Sequence, residues 1–202
     1  MAPSDGAGLA YPKCEAKSRA EWRAWLRTHH RTGRGVWLVT SKVGSGEPRL
    51  PYADAVEEAL CFGWVDSRPR TLDARRSMLL MTPRKAGSSW SKANRERVER
   101  LIASGRMAKA GLAKVEAAKR DGSWTRLAPV EAMVVPPDLS RALRAAPAAR
   151  ANFERFPLSS KRIILEWILN AKRLETRAAR IEETVRLAAR NLRANHYRQP
   201  KG

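Results

Sequence analysis

The sequence predicts an α+β protein: a small antiparallel sheet of about three strands packed with helices, followed by a small C-terminal helical domain. Three observations predict it. Short strand-like runs occur at residues 36–40 (branched and aromatic), 64–68 and 77–82. Elsewhere apolar residues recur at helical spacing. Pro129, Pro136 and Pro137 interrupt the helical pattern between residues 127 and 137.

Taken in order, residues 1–17 read as a flexible lead. Ser18 and Glu21 have capping-box spacing, and Trp22, Trp25, Leu26 and His29 then share one helical face. That face predicts His29 in the core. Gly33 and Gly35 close the helix before the strand at 36–40. After a glycine-containing loop, Tyr52, Ala55, Val56, Ala59 and Leu60 make the apolar stripe of a second helix, ended by Gly63. The strand at 64–68 is expected to enter a turn at Pro69, and the strand at 77–82 to end at Pro83. Helices follow at 91–104, with Asn94, Val98, Leu101 and Ile102 inward, and at 107–119, with Gly111, Leu112, Val115 and Ala118 inward. Beyond the prolines come helical pieces at 138–146, 148–156, 159–172 and 175–193. The expected organisation is a lead (1–17), an α+β domain (18–126), a linker (127–137), a helical domain (138–194) and a frayed tail (195–202). The seven tryptophans fall mostly on inner faces and strands, so core packing is their default role.

Composition narrows the function classes. The chain has 202 residues, with 40 Lys and Arg against 20 Asp and Glu, a net charge of +20. The excess is uneven: residues 1–66 carry a net +1, residues 67–130 a net +11 and residues 131–202 a net +8. Such a field attracts nucleic acid, acidic proteins or anionic lipid, and an anionic partner of one of these kinds is expected. The bland alternative is a solvated basic surface. No apolar run is long enough for a transmembrane helix. Two cysteines, Cys14 and Cys61, exclude a disulfide scaffold and a four-cysteine zinc site and fit a reducing compartment. With no basic start followed by an apolar stretch, the expected location is cytoplasmic.

The run Glu57 to Ser67 (EEALCFGWVDS) resembles the central signature of the YdeI/OmpD-associated, or bacteriocin-protection, family. So do Pro83-Arg84, Ser88-Ser89-Trp90-Ser91, Asn94, Gly105-Arg106-Met107 and Gly111. Near the C-terminus, Ala171-Lys172-Arg173, Glu175-Thr176-Arg177 and Arg180-Ile181 resemble a second segment of that family. The resemblance spans about residues 18–192. It implies a protein linked by name to the cell envelope and to tolerance of antimicrobial peptides, and it brings no catalytic mechanism with it.

Several residues are candidates for chemistry. Arg84, with Lys85, precedes a small-residue loop holding Ser88 and Trp90, and Ser91 and Asn94 lie at the next helix start. Free N–H groups, hydroxyls and a helix dipole there suit an anion, while an ordinary capped helix with Ser89 or Ser91 as N-cap is the alternative. Asp66 sits at a strand end and His30 points away from the helix stripe, so both are added to the anion or ligand site. Asp54 and Glu58 share a helix face, to bind a cation, to split a proton or to pair with arginines. Cys61 reads as a buried structural thiol. Arg173, Arg177 and Arg180 form one arginine triplet, and Arg186, Arg190 and Arg193 a second, both suited to phosphates or an acidic surface. No metal site and no cofactor is expected. The leading expectation is therefore a noncatalytic binding or stress-protection protein. Sequence-independent nucleic-acid binding is one alternative. The other is an enzyme or small-anion receptor whose pocket gathers Asp66, Arg84, Ser88, Ser91, Asn94 and His30.

Overall fold

The computed structural model describes residues 11–196, and the chain divides after Thr125 into two compact units. The first unit runs β1 (Lys13–Glu15), α1 (Arg19–His29), β2 (Val36–Ser41), α2 (Tyr52–Cys61), β3 (Trp64–Thr71), β4 (Arg76–Pro83), α3 (Lys92–Ala103) and α4 (Lys109–Arg120). Its strands form one sheet in the order β1-β2-β4-β3. The β2–β4 and β3–β4 pairs are antiparallel, whereas β1 lies parallel to β2 with Cys14 opposite Leu38. The sheet is therefore mixed and four-stranded, not antiparallel with three strands, and residues 13–15 of the expected lead belong to it. The expectation of a flexible lead at residues 1–10 lies outside the described residues.

Strand alternation sorts the core. Val36 and Leu38 face the helices with Trp22, Leu26, Leu60, Trp64 and Trp90. Trp37 and Val39, opposite Leu80 and Met78, make a second cluster on the other sheet face with Tyr11 and Leu72. Pro69 does not turn the chain. It sits within β3, an edge strand that tolerates proline, at an irregularity in the register between Asp66 and Pro69. Ser18 caps α1 as expected: its hydroxyl accepts the Glu21 N–H at 3.2 Å, and the Glu21 carboxylate accepts the Lys17 N–H at 3.0 Å. His29 is exposed, not core. Its ring stacks on Trp25 with centroids 4.5 Å apart, at the edge of the buried stripe. Ile102 and Leu112, expected inward, are also exposed.

The buried carboxylate of this unit is Glu58. Its side chain is fully buried, and three arginines reach it at 2.6 Å: Arg19 and Arg106 at Oε1 and Arg23 at Oε2. Arg19 also binds Asp54 at 2.9 Å and Glu57 at 2.8 Å, and Arg23 donates to the Arg106 carbonyl at 2.8 Å. The α2 carboxylates thus pair with arginines, and α1, α2 and the α3–α4 connection meet at one point. Close packing of α4 on α2 needs Gly111, where a Cβ would stand 2.3 Å from the Cys61 carbonyl oxygen. Gly63, at φ +74°, ends α2.

The second unit is helical: α5 (Ala128–Glu131), α6 (Pro137–Arg144), α7 (Pro147–Arg155), α8 (Leu158–Leu169) and α9 (Leu174–Ala189). Leu139, Leu143, Phe153, Phe156, Ile164, Ile168, Ile181 and Ala188 form its core. Within the stretch expected as a linker, α5 contributes Val130 to that core. The proline positions begin helices here, Pro129 in α5 and Pro137 in α6, because a missing N–H costs nothing in a first helical turn.

Two stability outcomes follow. Removing the Glu58 charge leaves three arginines without their carboxylate, but these are only partly buried and regain water. Glu58→Gln is therefore expected at the low end for a broken buried pair, about 3 kcal/mol, in urea unfolding. Gly111→Ala forces α4 from α2 and is expected to cost about 1–3 kcal/mol in the same measurement.

Candidate functional site

The residues that the sequence singled out do not share one pocket. Asp66, on β3, accepts a hydrogen bond from the Tyr52 hydroxyl at 2.8 Å. Burial and this carboxylate push the Tyr52 phenol up from its ordinary value. Tyr52, expected on the apolar stripe, is instead 56% exposed. The pair lines a cleft of about 510 Å3 beside the sheet. Leu38, Leu50, Ala55 and Leu79 give this cleft an apolar floor, and Lys42 and Arg49 supply cations. Lys42 is held by the Asp73 carbonyl at 2.7 Å, whereas Arg49 is exposed.

Arg84, Ser88 and Trp90 lie elsewhere, around a cavity of about 50 Å3 lined also by Lys85, Gly87, Lys114, Asp121 and Ser123. Arg84 is only 5% exposed. Its main-chain N–H reaches the Gly63 carbonyl at 2.9 Å, its Nη2 donates to the Ser89 carbonyl at 2.7 Å, and its guanidinium carbon stands 3.7 Å from the Trp90 ring centroid. Burial pushes the guanidinium down to about 10, against the nearby Asp66 charge, so it is still a cation at neutral pH. Trp90 in turn packs on Trp124, with centroids 5.0 Å apart. The Ser88 hydroxyl donates to the Lys85 carbonyl at 2.7 Å and closes the loop on itself.

Ser91 and Asn94 line neither space. Ser91 is the N-cap of α3, its hydroxyl accepting the Asn94 N–H at 3.3 Å, and the Asn94 side-chain oxygen accepts from Arg97 at 3.0 Å. The half-buried amide thus finds its partner one turn along its own helix. His30 is tied back to the Leu26 carbonyl at 2.9 Å and packs against Phe62. Cys61 is fully buried, and burial followed by the Glu58 charge raises its thiol.

The two arginine triplets are not one open basic face. Arg177 grips Asp138 with Nε at 2.6 Å and Nη2 at 3.0 Å, joining α9 to α6. Arg180 donates to the Trp167 carbonyl and lies over that indole, joining α9 to α8. Arg186 pairs with Glu183 at 2.7 Å, and Arg193 lies over Phe156. Arg173 and Arg190 are exposed. Sequence reasoning missed these clasps because helical spacing places a side chain on a face without saying what the neighbouring helix offers. It also missed Ser123, for which no sequence signal exists. The Glu58 cluster had one: Arg19 and Arg23 are four apart on α1, matching Asp54 and Glu58 on α2.

Residues 14–114, half of the chain, match the family described as "Domain of unknown function (DUF8412)", and residues 132–191 match "Bacteriocin-protection, YdeI or OmpD-Associated". The chain belongs to the first of these families, and its second unit carries the match to the second. The YdeI/OmpD-associated match thus covers the second unit, and the signature from Glu57 to Gly111 falls within the first match. No curated protein and no solved structure matches this chain. Among the described residues no helix is long and apolar enough to cross a membrane.

The Asp138–Arg177 clasp sets a pH dependence. Arg177 holds the Asp138 carboxyl below its ordinary value. A carboxyl depressed by folding stabilises the fold above its unfolded value, and that contribution is lost as pH falls through the folded value. Asp138 is about 40% exposed, so screening limits the effect to at most about 1 kcal/mol. In urea unfolding at several pH values, Asp138→Asn is expected to lose this amount at pH 7 and to converge with the unaltered protein as pH falls below the depressed Asp138 value.

Proposed function

We propose that this YdeI/OmpD-associated protein is a noncatalytic binding protein, with stress protection as its wider role, that engages an anionic partner through cations of its first unit. The observation that carries this reading is the allocation of charge. The carboxylates are outnumbered two to one, and many are already paired internally: Asp54, Glu57 and Glu58 with arginines, Asp73 with Arg76, Asp138 with Arg177 and Glu183 with Arg186. One-to-one pairing can therefore neutralise at most half of the cations. Arg68 and Arg75, on β3 and the β3–β4 turn, and Arg49, on the cleft rim, are exposed with no side-chain hydrogen bond or ion pair among the described residues. The β3 edge exposes residues 67–71 beside them. A cytoplasmic setting is part of the proposal and is supported by the two free thiols, Cys14 and Cys61.

A second reading, a receptor for a small amphipathic anion, is favoured by the 510 Å3 cleft. Its apolar floor, its Tyr52–Asp66 pair and the Arg49 guanidinium suit an apolar body ending in a carboxylate or phosphate.

The full chain, freed of nucleic acid, is to be titrated against labelled duplex, single-stranded oligonucleotide and anionic vesicles over a range of salt. Binding to at least one at about 150 mM salt is expected, with affinity falling as salt rises. The combined Arg49→Glu, Arg68→Glu and Arg75→Glu change is expected to weaken it at least about tenfold, while Arg173→Glu with Arg190→Glu has a smaller effect. No binding to any of the three at that salt, or dependence on the α9 pair alone, contradicts the proposal.

A further inference from the structure

We propose that the cavity between Arg84 and Ser123 is a binding site for a small oxyanion, inorganic phosphate or the terminal phosphoryl group of a larger molecule. The polyanion reading is not needed for it.

Among the described residues five polar or charged side chains are buried, and Arg84 and Ser123 are two of them. Both line the same cavity, and each carries an atom with no partner: the Nε of Arg84 and the Oγ of Ser123. Buried polar atoms are normally satisfied, so two unsatisfied ones on residues that line one space call for an occupant. The Arg84 Nε–H is a donor only, and the occupant must therefore present an acceptor.

Charge separates an oxyanion from water. A buried charge is normally met by a counterion. Glu58 is met by three arginines, but among the described residues no carboxylate forms an ion pair with Arg84, on which Asp66 acts only through its nearby charge. Arg84, Lys85 and Lys114 line the cavity against one carboxylate, Asp121, whose Oδ1 already accepts the Ser123 N–H at 2.9 Å. The lining is thus a net positive space around a guanidinium without a direct ion pair. The Trp90 ring and the Ser89 carbonyl hold that guanidinium still, so it needs little further ordering on binding.

Size fixes the ligand class. About 50 Å3 exceeds what one water needs and lies far below the roughly 300 Å3 of sites that enclose drug-sized molecules. The site has room for an oxyanion head and not for a base or a sugar. Arg84 and Ser123 come from segments 39 residues apart in sequence, which is why sequence reading named the first and not the second.

The test is calorimetric titration of the full chain with inorganic phosphate at constant ionic strength, with chloride as the control anion. One saturable site per chain is expected. Ser123→Ala removes one hydroxyl and leaves the backbone contacts of residue 123 intact, and Lys114→Gln removes an exposed cation from the lining. Each is expected to weaken phosphate binding about tenfold, the effect of one hydrogen bond to a charged group. Arg84→Lys keeps the charge and removes Nε–H, and is expected to abolish binding; unfolding curves of all three variants establish that they fold. The combined Arg49→Glu, Arg68→Glu and Arg75→Glu change is expected to leave the one-site stoichiometry intact. No saturable heat beyond that of chloride, or phosphate binding unchanged by Ser123→Ala and Lys114→Gln, overturns the proposal and leaves a water-filled cavity.

Discussion

A fully buried carboxylate, Glu58, held by Arg19, Arg23 and Arg106, is the constraint around which the first unit is assembled. Removing a carboxylate from water costs several kcal/mol, and only close, hydrogen-bonded cations offset it. Those cations come from α1 and from the α3–α4 connection, so the carboxylate is tolerable only when three chain segments are in place. Nearby apolar packing follows the same geometry. Trp22, one residue before Arg23, donates its indole N–H to the Ala55 carbonyl, and the Arg23 guanidinium lies over the Phe62 ring. The close approach at Gly111 then sets α4 against the end of α2.

This arrangement changes what the basic composition means. A net charge of +20 suggests a surface available to partners, yet several of the arginines do structural work inside their own unit. Arg19, Arg23 and Arg106 neutralise Glu58, and Arg177 and Arg180 tie α9 to α6 and α8. The cations left facing solvent lie in part where the sequence drew less attention, at Arg49, Arg68 and Arg75. Arg84 belongs to neither group, being buried and, among the described residues, outside any ion pair.

Much of the fold was legible because its signals are local. The α1 capping box, the aliphatic runs of β2 and β4 and the apolar stripe of α8 each declare an element within a few residues. β1 was not legible because three residues are too few to show alternation, and its existence depends on pairing with β2. Pro69 misled because proline usually ends a central strand, whereas β3 lies at the sheet edge. For the sites the division is sharper. Arg84, Trp90 and Asp66 could be named from sequence as charged or aromatic residues in unusual places. Their separation into a cleft and a cavity depends on the β3–β4 register and on the Ser123 turn, which only tertiary structure supplies.

The central claim, that Glu58 and its arginines act as one unit, is tested most directly by a double-mutant cycle in urea unfolding between Glu58→Gln and Arg106→Ala. The two side chains meet at 2.6 Å from positions 48 residues apart. The account predicts strong non-additivity, with a coupling energy of about 2 kcal/mol, because Arg106 loses its value once the carboxylate is neutral. Additivity to within about 0.5 kcal/mol would show that the three arginines hold their places without Glu58.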